Sequence, residues 1–276
     1  MQRTSTIGTG LVIMDSFTHL ELNSPAPLLV SGVGHIISPR IQEIVNLRER
    51  TNGARDGEYV YNLFLSTLIR TKAQFLEAIS DNFTEKQLKE LDNIPLFSLY
   101  LLFGDTRHLL MEAISFFCTE YVAFDKEKMR LVLYEEISED GAGQTVVGEI
   151  SDDNYTDVRN CILQRNYVDP PASTNGKRRS KKMIAFDKKI EEGRKQSKKF
   201  KDNQKAMQLG NLVSKVASNG VGIQNVYDLT VYQLYDQFFE INTSIQIEAA
   251  RTRWSVWGKD KFDFSQWYKV INEKEK

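Results

Sequence analysis

The apolar positions of this chain change period several times, and the changes divide it into elements. Up to Ile37 they form short runs and alternations, as in "TGLVIMDSFTHLEL" and "SPAPLLVSGVGHIISP". Interrupting Gly and Pro with β-branched Val30, Val33, Ile36 and Ile37 predict strands joined by turns. Ser38 reads as an N-cap with Pro39 in the first helical turn, before a short apolar face of Ile41, Ile44, Val45 and Leu47. After a loop at "TNGARDG", helical spacing takes over. Val60, Leu63, Phe64, Ile69, Phe75, Leu76 and Ile79 predict one long helical stretch. Thr84 with Gln87 makes a capping box for the next helix. "PLFSLYLLF" and "RHLLMEAISFFCTEYVAF" extend the helical cluster to Phe124.

Alternation returns at "KMRLVLYEE" and "QTVVGEIS", which predict a β-hairpin around the turn "EDGAG". "SDDNYTDVRNCILQRN" predicts a helix with Ser151, Asp152 or Asp153 as N-cap and Tyr155, Val158, Ile162 and Leu163 turned inward. "DPPASTNG" then stops structure and reads as a linker. Beyond a basic stretch, "LGNLVSKVASNGVGI" has one apolar face ending at Gly220. Thr230 caps a last long helix whose inward positions are Val231, Leu234, Tyr235, Phe238, Ile241 and Ile245. The expected fold is α+β and mostly helical. A mixed domain (1–168) with short strands and a hairpin is joined by a linker (169–176) to a helical C-terminal part (177–276).

Charge alters this picture at one place. The chain of 276 residues has a net charge of −1, yet between Lys177 and Lys205 thirteen Lys or Arg face four Asp or Glu. That strip is locally +9 and the remainder therefore −10, so a basic strip sits on an acidic body. Its start, Lys177, Arg178, Arg179, Lys181 and Lys182, is the candidate polyanion-binding cluster. A solvated helix with apolar anchors, or docking on an acidic protein surface, are the competing readings. Two cysteines beside apolar neighbours read as buried free thiols. The start of the chain lacks a signal-peptide pattern, and no run reaches the ~18 apolar residues of a membrane span, so a soluble intracellular protein is expected.

Candidate chemistry is thin. His19, His35 and His108 lie far apart and without ligand spacing, and no P-loop, nucleophile elbow or EF-hand pattern is present. No catalytic, cofactor or metal residue is therefore assigned. The C-terminal aromatics Trp254, Trp257, Phe262, Phe264, Trp267 and Tyr268 crowd fifteen residues beside Arg and Lys. They read as a small packed core, as base-stacking platforms, or as a partner-docking patch, because Trp, Tyr and Arg dominate interface hot spots.

Several fragments together carry a resemblance. They are "VGHIISPRIQEIV", "GEISDDNYTDVRNCILQRN", the Lys-rich helix, and "LTVYQLYDQFFEINTSIQIEAARTRWSVWG" with the closing "FSQWYKVI". Their order resembles the tail assembly chaperones, tail-morphogenesis proteins of phages and prophages of Gram-positive bacteria. The resemblance implies a non-enzymatic protein of the host cytoplasm during phage assembly, without cofactor, binding the tape-measure protein or another tail protein. Self-association is compatible with it. The alternatives are a nucleic-acid-binding phage protein using residues 177–205, and a structural tail or baseplate component of the virion.

Overall fold

The computed structural model describes residues 17–50, 53–136, 144–171 and 208–258. The chain is α+β and mostly helical, with two small antiparallel sheets in its N-terminal half. Its first described element is a helix, α1 (His19–Asn23), where alternation predicted a strand. The reason is local: Thr18 and Glu21 form a capping box that satisfies the first-turn donors. The β1 (Leu28–Val30) and β2 (Gly34–Ile36) hairpin follows. Helix α2 (Ile41–Arg50) starts later than Ser38 suggested, and Ser38 caps a different helix, described below. Ile41, Ile44 and Leu47 are buried as expected, while Val45 is exposed.

The long helical stretch after the loop is two helices, α3 (Gly57–Ile69) and α4 (Lys72–Ile79). Arg70 is extended, and Thr71 with Gln74 forms a second capping box that restarts the helix. Helix α5 (Glu85–Leu91) begins at the expected Thr84–Gln87 box. Helices α6 (Leu96–Leu102) and α7 (Gly104–Phe117) follow. Helix α7 stops seven residues short of the predicted end, because the hairpin captures the chain. Cys118 bridges to Ile36, the Ile37 N–H donates to the Phe117 carbonyl at 2.9 Å, and the Thr119 N–H donates to the His35 carbonyl at 3.1 Å. "YVAFD" is then β3 (Tyr121–Asp125), an outer strand of a meander with β4 (Arg130–Glu136) and β5 (Gln144–Ile150). The predicted turn between β4 and β5 lies outside the described residues.

The two sheets touch through a glycine. A Cβ at Gly148 on β5 would lie 2.4 Å from the carbonyl oxygens of both Gly32 and Val33 in the β1–β2 turn. Glycine therefore permits the approach that lets the Glu149 N–H donate to the Gly32 carbonyl at 2.9 Å. The β4–β5 ladder is irregular at Leu133/Tyr134 opposite this point, a bulge that bends the strand.

Helix α8 (Tyr155–Arg165) buries Tyr155, Val158, Ile162 and Leu163 as expected. Its predicted caps differ. Asp152 instead accepts from the Ser98 N–H at 3.1 Å and the Ser98 hydroxyl at 2.5 Å, so it caps the first turn of α6. The Asn154 side chain closes the turn before α8, accepting from the Ser151 N–H. After residue 208 come α9 (Leu209–Val216), a five-residue extension whose Gly220 has φ 109°, α10 (Ile223–Val226) and α11 (Val231–Trp257).

One apolar core runs through all of this. It joins Ile36, Phe64, Leu99, Phe117, Leu131 and Ile162 to Leu212, Val216, Val231 and Leu234. Cys118 and Cys161 are free and buried in it. Burial raises both thiols and carries Cys161 to about 12. Two arginines of α8 are also fully buried. Arg165 donates to the carbonyls of Ser24 at 3.0 Å and Ala26 at 2.9 Å, holding the segment after α1. Arg159 makes no hydrogen bond and lies near Tyr155 and Tyr100. Among the described residues no helix is long and apolar enough to cross a membrane.

Candidate functional site

Helix α11 is the element that leaves the core. Its first turn and that of α2 are capped by each other's flanking segments. Every α-helix begins with backbone N–H groups that lack an intrahelical acceptor. At α11 the Val231 N–H donates to the Pro39 carbonyl (2.9 Å), the Tyr232 N–H to Ser38 Oγ (3.4 Å), and the Gln233 N–H to Thr230 Oγ1 (3.2 Å). At α2 the Ile41 N–H donates to the Leu229 carbonyl and the Gln42 N–H to the Tyr227 carbonyl, each at 3.0 Å. The expected Thr230 cap is thus present as a capping box, embedded in a contact between residues 38–42 and 227–232.

From this anchor the helix runs 27 residues, about 40 Å at 1.5 Å per residue. One stripe repeats at spacings of three and four: Val231, Leu234, Phe238, Ile241, Ile245, Ala249, Thr252 and Val256. Its burial decays in order. Val231 and Leu234 are fully buried, Phe238 and Ile241 are half-buried, Ile245 is 45% exposed and Val256 is 64% exposed. Ile245 therefore lies off the core, contrary to the inward position its spacing predicted. The stripe keeps its phase while the body beneath it ends.

A cluster of rings marks the boundary. Tyr167 stacks on Tyr235 and Phe239, both at 5.4 Å, and contacts Tyr232 at 5.1 Å. It sits just past α8 in a left-handed conformation, φ 59°. The Val168 N–H donates to the Leu163 carbonyl and the Tyr167 N–H to the Gln164 carbonyl, a Schellman closure that normally takes glycine. The left-handed backbone costs about 1–2 kcal/mol for an L-residue, and the three ring contacts offset it. A groove of about 270 Å³ opens beside Tyr167 and Tyr232, lined also by Leu22, Gln164, Val168 and Asp169. His19 meets the Tyr232 ring edge-on at 5.8 Å, with Nε2 3.1 Å from Asp236 of α11. Burial and the nearby Glu58 raise the Tyr235 hydroxyl.

Of the predicted docking aromatics, Trp254 lies on the projecting half, 41% exposed. Its indole folds over the helix end, where a Cβ at Gly258 would come within 2.3 Å of the ring. Trp257 is the last residue of α11, and its side chain lies outside the described residues. Phe262, Phe264, Trp267 and Tyr268 lie outside them too, as do Lys177, Arg178, Arg179, Lys181 and Lys182. Val256 is the exposed position that sequence reading passed over. The signal for it was there: the stripe that ends on it begins at Val231.

Residues 198–272 match the family model described as YomV second domain. It is a Bacillus phage-derived family, and the match is consistent with a phage protein. The matched stretch contains α9, α10 and α11 whole. No curated protein and no solved structure matches the chain.

Proposed function

We propose that this chain is a phage protein that works by binding another protein during tail assembly, as a chaperone rather than an enzyme. Its client on this reading is the tape-measure protein, whose apolar helical segments need cover before the tail tube forms. The observation that carries the reading is the outer half of α11. There an amphipathic stripe leaves the core in phase and exposes Ile245 and Val256. A helix laid against that stripe would extend the packing that Val231 and Leu234 already make, the helix-in-groove mode of recognition. The stretch that resembles a phage-derived family contains this helix entirely. The outer half is already helical and the N-terminal end of α11 is pinned to the body, so it has less backbone entropy to lose on docking than an unfolded segment.

The test is co-expression with the tape-measure protein of the same phage genome. Wild-type chain should keep it soluble and co-purify with it. The Ile245→Glu/Val256→Glu variant should stay folded and lose most of that capture. A tape-measure protein that is equally insoluble with and without the chain would refute the reading. Capture of duplex DNA with a steep salt dependence, log K falling about 0.9 per phosphate contact per log unit of salt, would move the function to the basic strip at 177–205.

A further inference from the structure

Three segments far apart in the sequence bring one imidazole and two carboxylates together. His35 is on β2, Glu120 lies between α7 and β3, and Glu135 is near the end of β4. A ligand-type atom from each lies within 4.8 Å of the other two. Glu120 is the unusual member. Its side chain is 0% exposed. Its Oε1 accepts the His35 backbone N–H at 2.8 Å and stands 2.7 Å from His35 Nδ1. Its Oε2 is equally buried and has no hydrogen-bond partner. A buried carboxylate oxygen left unmatched is costly, and proteins tolerate few of them.

The backbone has been shaped to hold this group. Gly34 has φ +141°, and a Cβ there would lie 2.7 Å from the Glu120 Cδ and 2.8 and 2.9 Å from its two oxygens. Residue 34 therefore has no side chain where the carboxylate sits. Glu135 is exposed and His35 half-buried, so two of the three members are open to solvent.

We propose that His35, Glu120 and Glu135 form a binding site for a first-row divalent cation of the Zn²⁺ or Mn²⁺ type. One imidazole with two carboxylates is a mixed N/O donor set that suits these ions, whereas Ca²⁺ seeks six to eight oxygens. The cation supplies the missing partner of Glu120 Oε2 and ties β2 to β4. Three protein ligands leave coordination positions for water or for a donor from a bound partner. The competing account is a plain hydrogen-bonded strut between His35 and Glu120, in which Glu135 has no part.

The two accounts separate by titrating the metal-stripped full chain with Zn²⁺ and with Mn²⁺ in a calorimeter. The site predicts one ion per chain and a raised melting temperature on loading. Glu135→Gln, at an exposed position, should leave the melting temperature of the stripped protein unchanged and weaken binding at least about tenfold, since losing a ligand costs no less than losing a partner that only orients one. His108→Gln controls for the exposed pair of His108 Nε2 and Glu112, 3.4 Å apart. No uptake of either ion, uptake unaltered in Glu135→Gln, or uptake lost in His108→Gln would each overturn the assignment.

Discussion

The two halves of α11 share one sequence pattern and meet opposite surroundings. From Val231 to Ile241 the stripe closes the core, beneath caps contributed by residues 38 and 39. From Ile245 to Val256 the same stripe faces outward. Hydrophobic periodicity therefore marks one face of a helix without reporting whether the fold covers it. The same three-and-four spacing is found in helices that pack in a core and in helices that dock in a groove. The difference between the halves lies in tertiary contacts that no local pattern encodes.

The largest expected contrast is within the inner half. Leu234→Ala removes a fully buried side chain and should lower unfolding free energy by about 2–5 kcal/mol, read from urea denaturation. A loss under about 1 kcal/mol would mean that the inner half is not part of the folding core. Next come the two buried arginines of α8. Arg165→Met strips donors from the Ser24 and Ala26 carbonyls and should cost about 1–3 kcal/mol. Protease sensitivity should appear around residues 17–26, the segment that also bonds α11 through the Asn23 carbonyl and the Gln233 side chain. Arg159→Met removes a buried cation that makes no hydrogen bond and should be neutral or stabilising. Equal losses in the two variants would show that Arg159 has a role that its geometry does not reveal.

How much of this was legible in the sequence depends on the range of the causes. The Thr84 capping box, the Thr230 cap, the β4–β5 hairpin and the buried face of α8 all follow from residues a few positions apart, and all are present. Misreadings arose where a distant segment decided. The run "SFFCTEYVAF" has helical spacing, but β2 pairs with Cys118 and turns the rest into a strand. Ser38 precedes a proline as an N-cap should, but its hydroxyl serves Tyr232. Asp152 likewise caps α6 across 54 residues. At the candidate sites the limits are the same. Ile245 was placed by its spacing alone, on the face the core would have needed. The His35, Glu120 and Glu135 cluster spans a hundred residues of chain, so a search for ligand spacing along the sequence passes over it.

The anchor between the halves and the body gives a smaller effect. Thr230→Ala removes the hydroxyl that accepts the Gln233 N–H and should cost about 1 kcal/mol. The Pro39 and Ser38 acceptors remain, so the helix should persist. Amide exchange should rise at Gln233 more than at Val231, whose acceptor is a backbone carbonyl. Uniform acceleration along α11 would mean that the cap holds the whole helix to the body.

The smallest effect on stability carries the most information about function. Ile245→Ser and Val256→Ser lie on the exposed continuation of the stripe. Serine and isoleucine have similar helix propensities, so neither change should disturb the helix itself. Each should shift unfolding free energy by less than about 0.5 kcal/mol, as surface changes do. If the outer half docks a client, the same pair should weaken client capture far more than it weakens the fold, because interface apolar side chains act only when covered. A stability loss above about 1 kcal/mol from either change would give the outer half an intramolecular partner instead. The stripe would then be one continuous core face, and the contrast between the two halves would vanish.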